Sequence, residues 1–246
     1  MDRASIRVPL SAPYRIVGQV LIAPTNFGDQ TAPYVPTVTL LPYCDGDVFD
    51  LQGQRFTDIS RDIDRADTSL KSSVMVSGAN HNFFNTEWTP GLSVAPSNDD
   101  WFGKPDAPCG TKTPDRLTAA EQRKAGRTYI AGAVHLFAGG EQAVLPMFDG
   151  SRVSVPSAGP AMVLSHAIGG GRDVRRPAGD TALALPSGAR TEFCVGAVDF
   201  VYRPGYCAAP ADDLVSPHWQ YRSSPVPTRR WFSLTWTARG QYGGVL

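Results

Sequence analysis

The sequence predicts an α/β fold, and two observations carry that reading. Three short, β-branched and nearly continuous apolar runs, Ile16 to Ala23, Thr37 to Leu41 and Ser73 to Val76, lie early in the 246-residue chain. Strands buried on both faces of a parallel sheet have this texture, whereas half-exposed strands alternate. One long helical pattern follows at residues 118–137, and beyond Gly140 the chain turns to short β-prone runs separated by Gly, Pro and Ser. A partial parallel sheet with covering helices is therefore expected over residues 1–140, and a β-rich antiparallel region over 141–246.

The first two runs are each bounded by proline, which suits strand ends. Between the second and third lies a polar stretch from Asp50 to Leu70, rich in Asp and Arg, expected to cross over as one or two helices or helical turns. The unit is thus strand, loop, strand, crossover, strand. After His81 comes a Gly/Pro/Asn/Asp-rich segment from Asn82 to Pro114 with Trp88, Trp101 and Phe102 set in it. Loops of this length in compact domains are functional or carry structure of their own.

Thr118-Ala119-Ala120-Glu121 is a capping box, in which hydroxyl and carboxylate satisfy each other's orphan backbone donors. Ala125, Tyr129, Ala133 and Phe137 follow at intervals of four, with Ile130 and Val134 beside them, and Gly139-Gly140 closes the helix. The β-prone runs after it are Val144 to Phe148, Val153 to Val155, Met162 to Leu164, Phe193 to Tyr202 and Trp231 to Trp236.

Composition excludes several function classes. Positive and negative side chains number 23 each, without a basic block, so the electrostatic footprint of a nucleic-acid binder is missing. No eighteen apolar residues run together, so no membrane span is expected, and Met1-Asp2-Arg3 opens no signal peptide. Cys44, Cys109, Cys194 and Cys207 lack metal-ligand spacing. Their even number permits Cys194 with Cys207 across a hairpin and Cys44 with Cys109. The alternative is four buried free thiols.

The chemistry gathers at two strand ends. Leu40-Leu41-Pro42-Tyr43-Cys44-Asp45-Gly46-Asp47-Val48-Phe49-Asp50 runs from an apolar strand into carboxylates, and Gly78-Ala79-Asn80-His81-Asn82-Phe83-Phe84 follows the third strand. Side chains just past the carboxyl ends of neighbouring parallel strands converge on one crevice. Asp45 or Asp47 with His81 therefore suits a pair in which a carboxylate fixes the tautomer of an imidazole that moves a proton. Solvation or helix capping accounts for the spare carboxylates Asp47 and Asp50 better than calcium, because the distal bidentate Glu of an EF-hand loop is lacking. A bland reading of His81 is an exposed, hydrogen-bonded turn residue; His135, His166 and His218 read as structural or surface groups.

These residues carry a resemblance. The segment from Tyr14-Arg15-Ile16 to Trp88-Thr89-Pro90-Gly91, and above all the two motifs just quoted, resembles the carboxyl-terminal half of actinobacterial secreted α/β-hydrolases, over about the first 140 residues. The resemblance implies that the three runs are the last three strands of an eight-stranded sheet, with the acid after the second and the histidine after the third. It implies a serine ester hydrolase ancestry, Asp45 and His81 as catalytic acid and base, no cofactor and no metal, export from the cell, and an ester-type small molecule or polymer as substrate. Asp45 is favoured over Asp47 by the Asp-x-x-Val spacing common after this strand in the family.

The departure from the family matters more than the match. No Gly-x-Ser-x-Gly occurs in the chain, and that pentapeptide is the turn that exposes the nucleophile and serves the oxyanion hole. Ser165, in Val163-Leu164-Ser165-His166-Ala167, lacks the flanking glycines and follows the histidine in order; it is rejected as nucleophile. The expectation is that residue 1 is not the natural start and that the chain alone is inactive. Its first strand would then be an exposed edge that pairs with another copy or with a separately encoded amino-terminal half. The competing reading is a noncatalytic secreted binding protein, in which Trp219, Tyr221, Trp231, Phe232 and Trp236 form a platform for polysaccharide or polymer.

Overall fold

The computed structural model describes residues 15–26, 30–48, 51–57, 60, 66–97, 100 and 109–171, with the backbone of two further strands at 231–235 and 241–245. Four strands form one mixed sheet in the order β1 (Gln19–Ile22), β2 (Thr37–Pro42), β3 (Lys71–Val76) and β4 (Val163–Ile168). The first three are parallel, and β4 runs antiparallel to β3. One long helix, α1 (Ala119–Phe137), covers the sheet, so the architecture is α/β in general character. β5 (Trp231–Thr235) and β6 (Gln241–Val245) pair antiparallel as a separate two-stranded sheet. The run Phe193 to Tyr202, residues Trp219, Tyr221 and Trp236, and the Cys194–Cys207 pairing lie outside the described residues.

β2 is buried along its whole length, as its apolar run predicts. The sheet's two faces nevertheless differ. Val38 and Leu40 of β2 and Val74 and Val76 of β3 share the face that packs on Ala125, Tyr129, Ala133 and Leu136 of α1. Phe148 closes this core edge-on to Tyr129, with ring centroids 5.9 Å apart. On the other face stand Thr37, Thr39, Lys71 and Ser73, all buried. There the crossover segment supplies polar partners, and Thr57 Oγ1 lies 2.8 Å from Ser73 Oγ.

This polar layer explains why β3 begins at Lys71, two residues ahead of the apolar run. The Lys71 ammonium is buried, yet it donates to the carbonyls of Ala32 and Val35 at 2.6 Å each and lies 3.4 Å from Asp67. Burial pushes its pKa down while the Asp67 carboxylate pulls the other way. Ser72 Oγ, facing α1, donates to the Phe148 carbonyl at 2.7 Å. A polar strand start is tolerated because each group meets a partner. The crossover begins with a 3-10 turn at Gln52–Gln54 and continues helically at residues 55–57.

The capping box forms as expected, with Glu121 N donating to Thr118 Oγ1 at 3.3 Å and Thr118 N donating to Glu121 Oε2 at 2.9 Å. The buried stripe is Gln122, Ala125, Gly126, Tyr129, Gly132, Ala133 and Leu136. Val134, expected beside that stripe, points to solvent instead.

Of the β-prone runs beyond Gly140, two depart from expectation and a third forms the strand it predicts. Val144 to Phe148 forms most of a 3-10 helix, Gln142–Met147, because Pro146 cannot donate to a ladder and the 144, 145, 147, 148 spacing turns all four side chains toward the core. Val153 to Val155 is irregular and leads into a proline-started 3-10 turn at Pro156–Ala158. Met162 to Leu164 grows into β4, whose pairing runs from Lys71 opposite Ile168 to Val76 opposite Val163. Leu40 is wholly buried between sheet and helix, so Leu40→Ala should cost about 2–5 kcal/mol, read as a lower urea midpoint at unchanged m-value.

Candidate active site

The acid and histidine loops start side by side because β2 and β3 end in register, with Pro42 opposite Val76. Backbone bonds keep the loops together past the sheet: Tyr43 N donates to Val76 O at 3.1 Å and Cys44 N to Ala79 O at 2.7 Å. Asp45 then turns the chain on its own carboxylate, Oδ1 accepting from Asp47 N at 2.9 Å and Val48 N at 2.7 Å. Such an Asx turn fixes the side chain's second oxygen in space. That oxygen, Oδ2, lies 3.0 Å from His81 Nδ1.

The histidine loop is held from the other side. Gly78 takes φ +72°, and a Cβ there would stand 2.0 Å from the Asp115 carbonyl, so only glycine makes this turn without displacing the backbone. Two residues on, the Gln122 side chain of α1 brackets Asn80, accepting from Asn80 N at 2.9 Å and donating to Asn80 O at 2.5 Å. Asn80 Oδ1 in turn accepts from Phe83 N at 2.9 Å, which shapes the 3-10 turn Asn82–Phe84. The half-exposed indole of Trp88 stacks on the imidazole, with centroids 5.1 Å apart and planes 24° off parallel.

Two further carboxylates complete the surroundings. Asp47 is exposed and places Oδ2 at 3.7 Å from His81 Nε2, the ring nitrogen opposite Asp45. Asp100 is buried, its Oδ1 accepting from Gly46 N at 2.6 Å and its Oδ2 from Asn82 N at 2.8 Å. Arg116 Nη1 donates to the carbonyls of Asp100, at 3.1 Å, and Cys109, at 2.8 Å. Cys109 is joined to Cys44 by a disulfide, so one of the two pairings open in the sequence is present.

These charges set the protonation of the site. Burial alone would lower His81, but the hydrogen bond and charge of Asp45, followed by the charges of Asp47 and Asp100, raise it to about 9. Asp100 moves up to about 7, because burial and the neighbouring Asp45 charge outweigh its backbone N–H donors. An Nδ1–H donating to Asp45 leaves Nε2 as the atom that can exchange a proton with a third group.

No family model, characterised protein or solved structure matches this chain. The site therefore stands on its own geometry. Of the residues singled out in the sequence, Asp45, Asp47 and His81 come together, while Asp50 and His218 lie outside the described residues. Ser165 sits mid-strand in β4 with Oγ accepting from Gly150 N at 3.0 Å. His135 is exposed with Glu141 at 2.7 Å, and His166 pairs opposite Ser73 in the sheet. Sequence reasoning missed Asp100, Gln122 and the stacking of Trp88. Only Trp88 carried a signal, being a large aromatic seven residues beyond the histidine. Among the described residues no group of three His, Cys, Asp or Glu side chains is arranged to hold a metal.

The disulfide closes a loop of sequence separation 65 that contains both Asp45 and His81. Cys44→Ala with Cys109→Ala should lower unfolding free energy by about 4 kcal/mol on the chain-entropy estimate, measured by urea titration. The pH dependence has a definite sign. His81 at about 9 when folded, against 6.5 as its ordinary value, contributes stability that is complete below about pH 6.5 and lost as pH rises through about 9. Asp100, raised from 3.8 to about 7, acts the same way, since the folded protein keeps a proton that the unfolded chain has released. Stability should fall from about pH 4 to about pH 9, and His81→Gln should flatten the upper half of that decline.

Proposed function

We propose that this chain is α/β-hydrolase-like and carries the acid and base of a serine ester hydrolase, with Asp45 orienting His81 and His81 moving the proton in acyl transfer to water. The observation that supports the reading most is the 3.0 Å contact between a buried carboxylate after β2 and an imidazole nitrogen after β3. The order of acid and base along the chain agrees with the family in which nucleophile, acid and histidine follow one another. In this family β1 to β3 would be the last three strands of the sheet.

In the proposed mechanism a serine hydroxyl approaches Nε2, and His81 takes its proton as the oxygen attacks the ester carbonyl. The imidazolium, held by Asp45, then gives that proton to the departing alcohol. Water repeats the exchange at the acyl-enzyme, releasing the acid and restoring the serine. This chain supplies no Gly-x-Ser-x-Gly, so the hydroxyl has to come from a segment other than the elements described. Among the described residues β1 pairs with β2 alone, leaving its other side as the place where a preceding strand of such a sheet would add.

The charges around His81 favour idleness until that segment arrives. At about 9, the ring is protonated at neutral pH, and an imidazolium accepts no proton. Asp47 lies on the Nε2 side, so an incoming hydroxyl has to displace it, which weakens the hold on the proton. The disulfide suits an oxidising compartment, consistent with export. The substrate class is an ester, small or polymeric.

On a chromogenic acyl ester the purified chain should turn over no faster than buffer. Adding a polypeptide that carries the strand and Gly-x-Ser-x-Gly turn should raise the rate, and His81→Ala should then remove it by about a thousandfold or more. Rapid hydrolysis by the chain alone that ignores His81→Ala contradicts the proposal.

A further inference from the structure

Acid and base reside on separate loops, 36 residues apart in sequence, and past the sheet their paths are no longer fixed by strand pairing. A third segment reaches both. Asp100 Oδ1 accepts from Gly46 N, the residue after the acid, and Asp100 Oδ2 accepts from Asn82 N, the residue after the base. The His81 backbone N–H also donates to this carboxylate. One carboxylate therefore spans the two loops at corresponding positions.

The bracket is itself anchored. Arg116, just ahead of α1, draws the Asp100 and Cys109 carbonyls onto one guanidinium nitrogen, and Cys109 is bonded to Cys44, the residue before the acid. Asp45 is thus held from the residue on each side of it, by the disulfide at Cys44 and by Asp100 at Gly46. Buried carboxylates are costly when they lack partners. The one at position 100 meets its cost with backbone donors of the very loops whose spacing decides whether Asp45 reaches His81.

We infer that Asp100 is a positioning residue, which sets the Asp45–His81 contact by tying Gly46 to Asn82. The inference rests on the reading of that contact as a proton-transfer pair and goes beyond it by assigning a third carboxylate that touches no reacting atom. Among the described residues, Asp45 of the acid loop and Arg116 of the approach to α1 act on Asp100 by charge, and the His81 ring beside it is shared with Asp45 and Asp47. Its negative charge also reaches His81, adding to those of Asp45 and Asp47.

The test uses nuclear magnetic resonance on the full chain, following the His81 ring and its low-field Nδ1 proton through a pH titration. Asp100→Asn preserves volume but sets an amide N–H₂ against a backbone donor, so one tie is broken and the charge is gone. The expected result is a folded protein in which the Nδ1 proton signal weakens or moves upfield and the His81 midpoint drops by about one pH unit. A folded Asp100→Asn protein with the Nδ1 signal and the midpoint unchanged overturns the inference, since a loop staple of structural value alone would leave both in place.

Should that variant unfold, the unmodified protein decides. The Gly46 and Asn82 amide resonances should shift together through one shared midpoint near neutrality, below that of His81, because one carboxylate accepts from both. Independent movement, or none, overturns the proposal. Asp45→Asn separates the two claims: it should abolish the low-field proton whatever Asp100 does, and if it leaves the His81 titration untouched, the proton-transfer reading itself fails.

Discussion

The parallel register of β2 against β3 is the constraint on which the rest depends. It places Pro42 beside Val76, so that both chains leave the sheet at one level and Asp45 and His81 start from neighbouring points. The same register sorts the two faces, setting Leu40 and Val74 under α1 and Thr39 and Ser73 against the crossover. A slip by one residue would exchange those faces, burying polar groups beneath the helix and parting the loops. Core and site are therefore specified together.

Past the strand ends, the backbone wraps around carboxylates. Asp45 Oδ1 takes two N–H groups of its own turn, and Asp100 takes N–H groups of both loops. Arg116 donates its Nη1 to the Asp100 and Cys109 carbonyls, and its charge also feels the Asp100 carboxylate. His81 stands between Asp45 and Asp47, 3.0 Å from one and 3.7 Å from the other, and their charges favour the protonated ring. The carboxylates around the ring thus favour its charged form over its neutral one.

Much of this was legible in the chain because it rests on local signals. The apolar runs marked the parallel strands, Thr118 and Glu121 marked the start of α1, and the placement of Asp45 and His81 after successive strands marked which groups could meet. What escaped depends on contacts distant in sequence. Asp100 sits in a run of polar residues beside Asp99 with nothing to distinguish it, and its value arises from Gly46 and Asn82. Gln122 looks like an ordinary helix residue until Asn80 is brought beneath it. Lys71 and Ser72 fell between the crossover and the apolar run, because a buried ammonium is expected only where carbonyls wait for it, and those belong to Ala32 and Val35. The run from Val144 misled for another reason, since its apolar character outweighed Pro146 and a helical spacing.

The bond between Cys44 and Cys109 has a topological consequence. Asp45, His81, Trp88 and Asp100 all fall between those two cysteines, so the acid, the base, the stacked indole and the bridging carboxylate belong to one covalent ring, with Arg116 and Gln122 outside it. Arg55 and Lys71 also lie within it, and a protease that severed the backbone once inside the ring would open it without releasing a piece. The acid and the base would stay on one molecule, still tied at the sheet and through sulfur. Survival of the site after a single nick is thus written into the order of the residues along the chain.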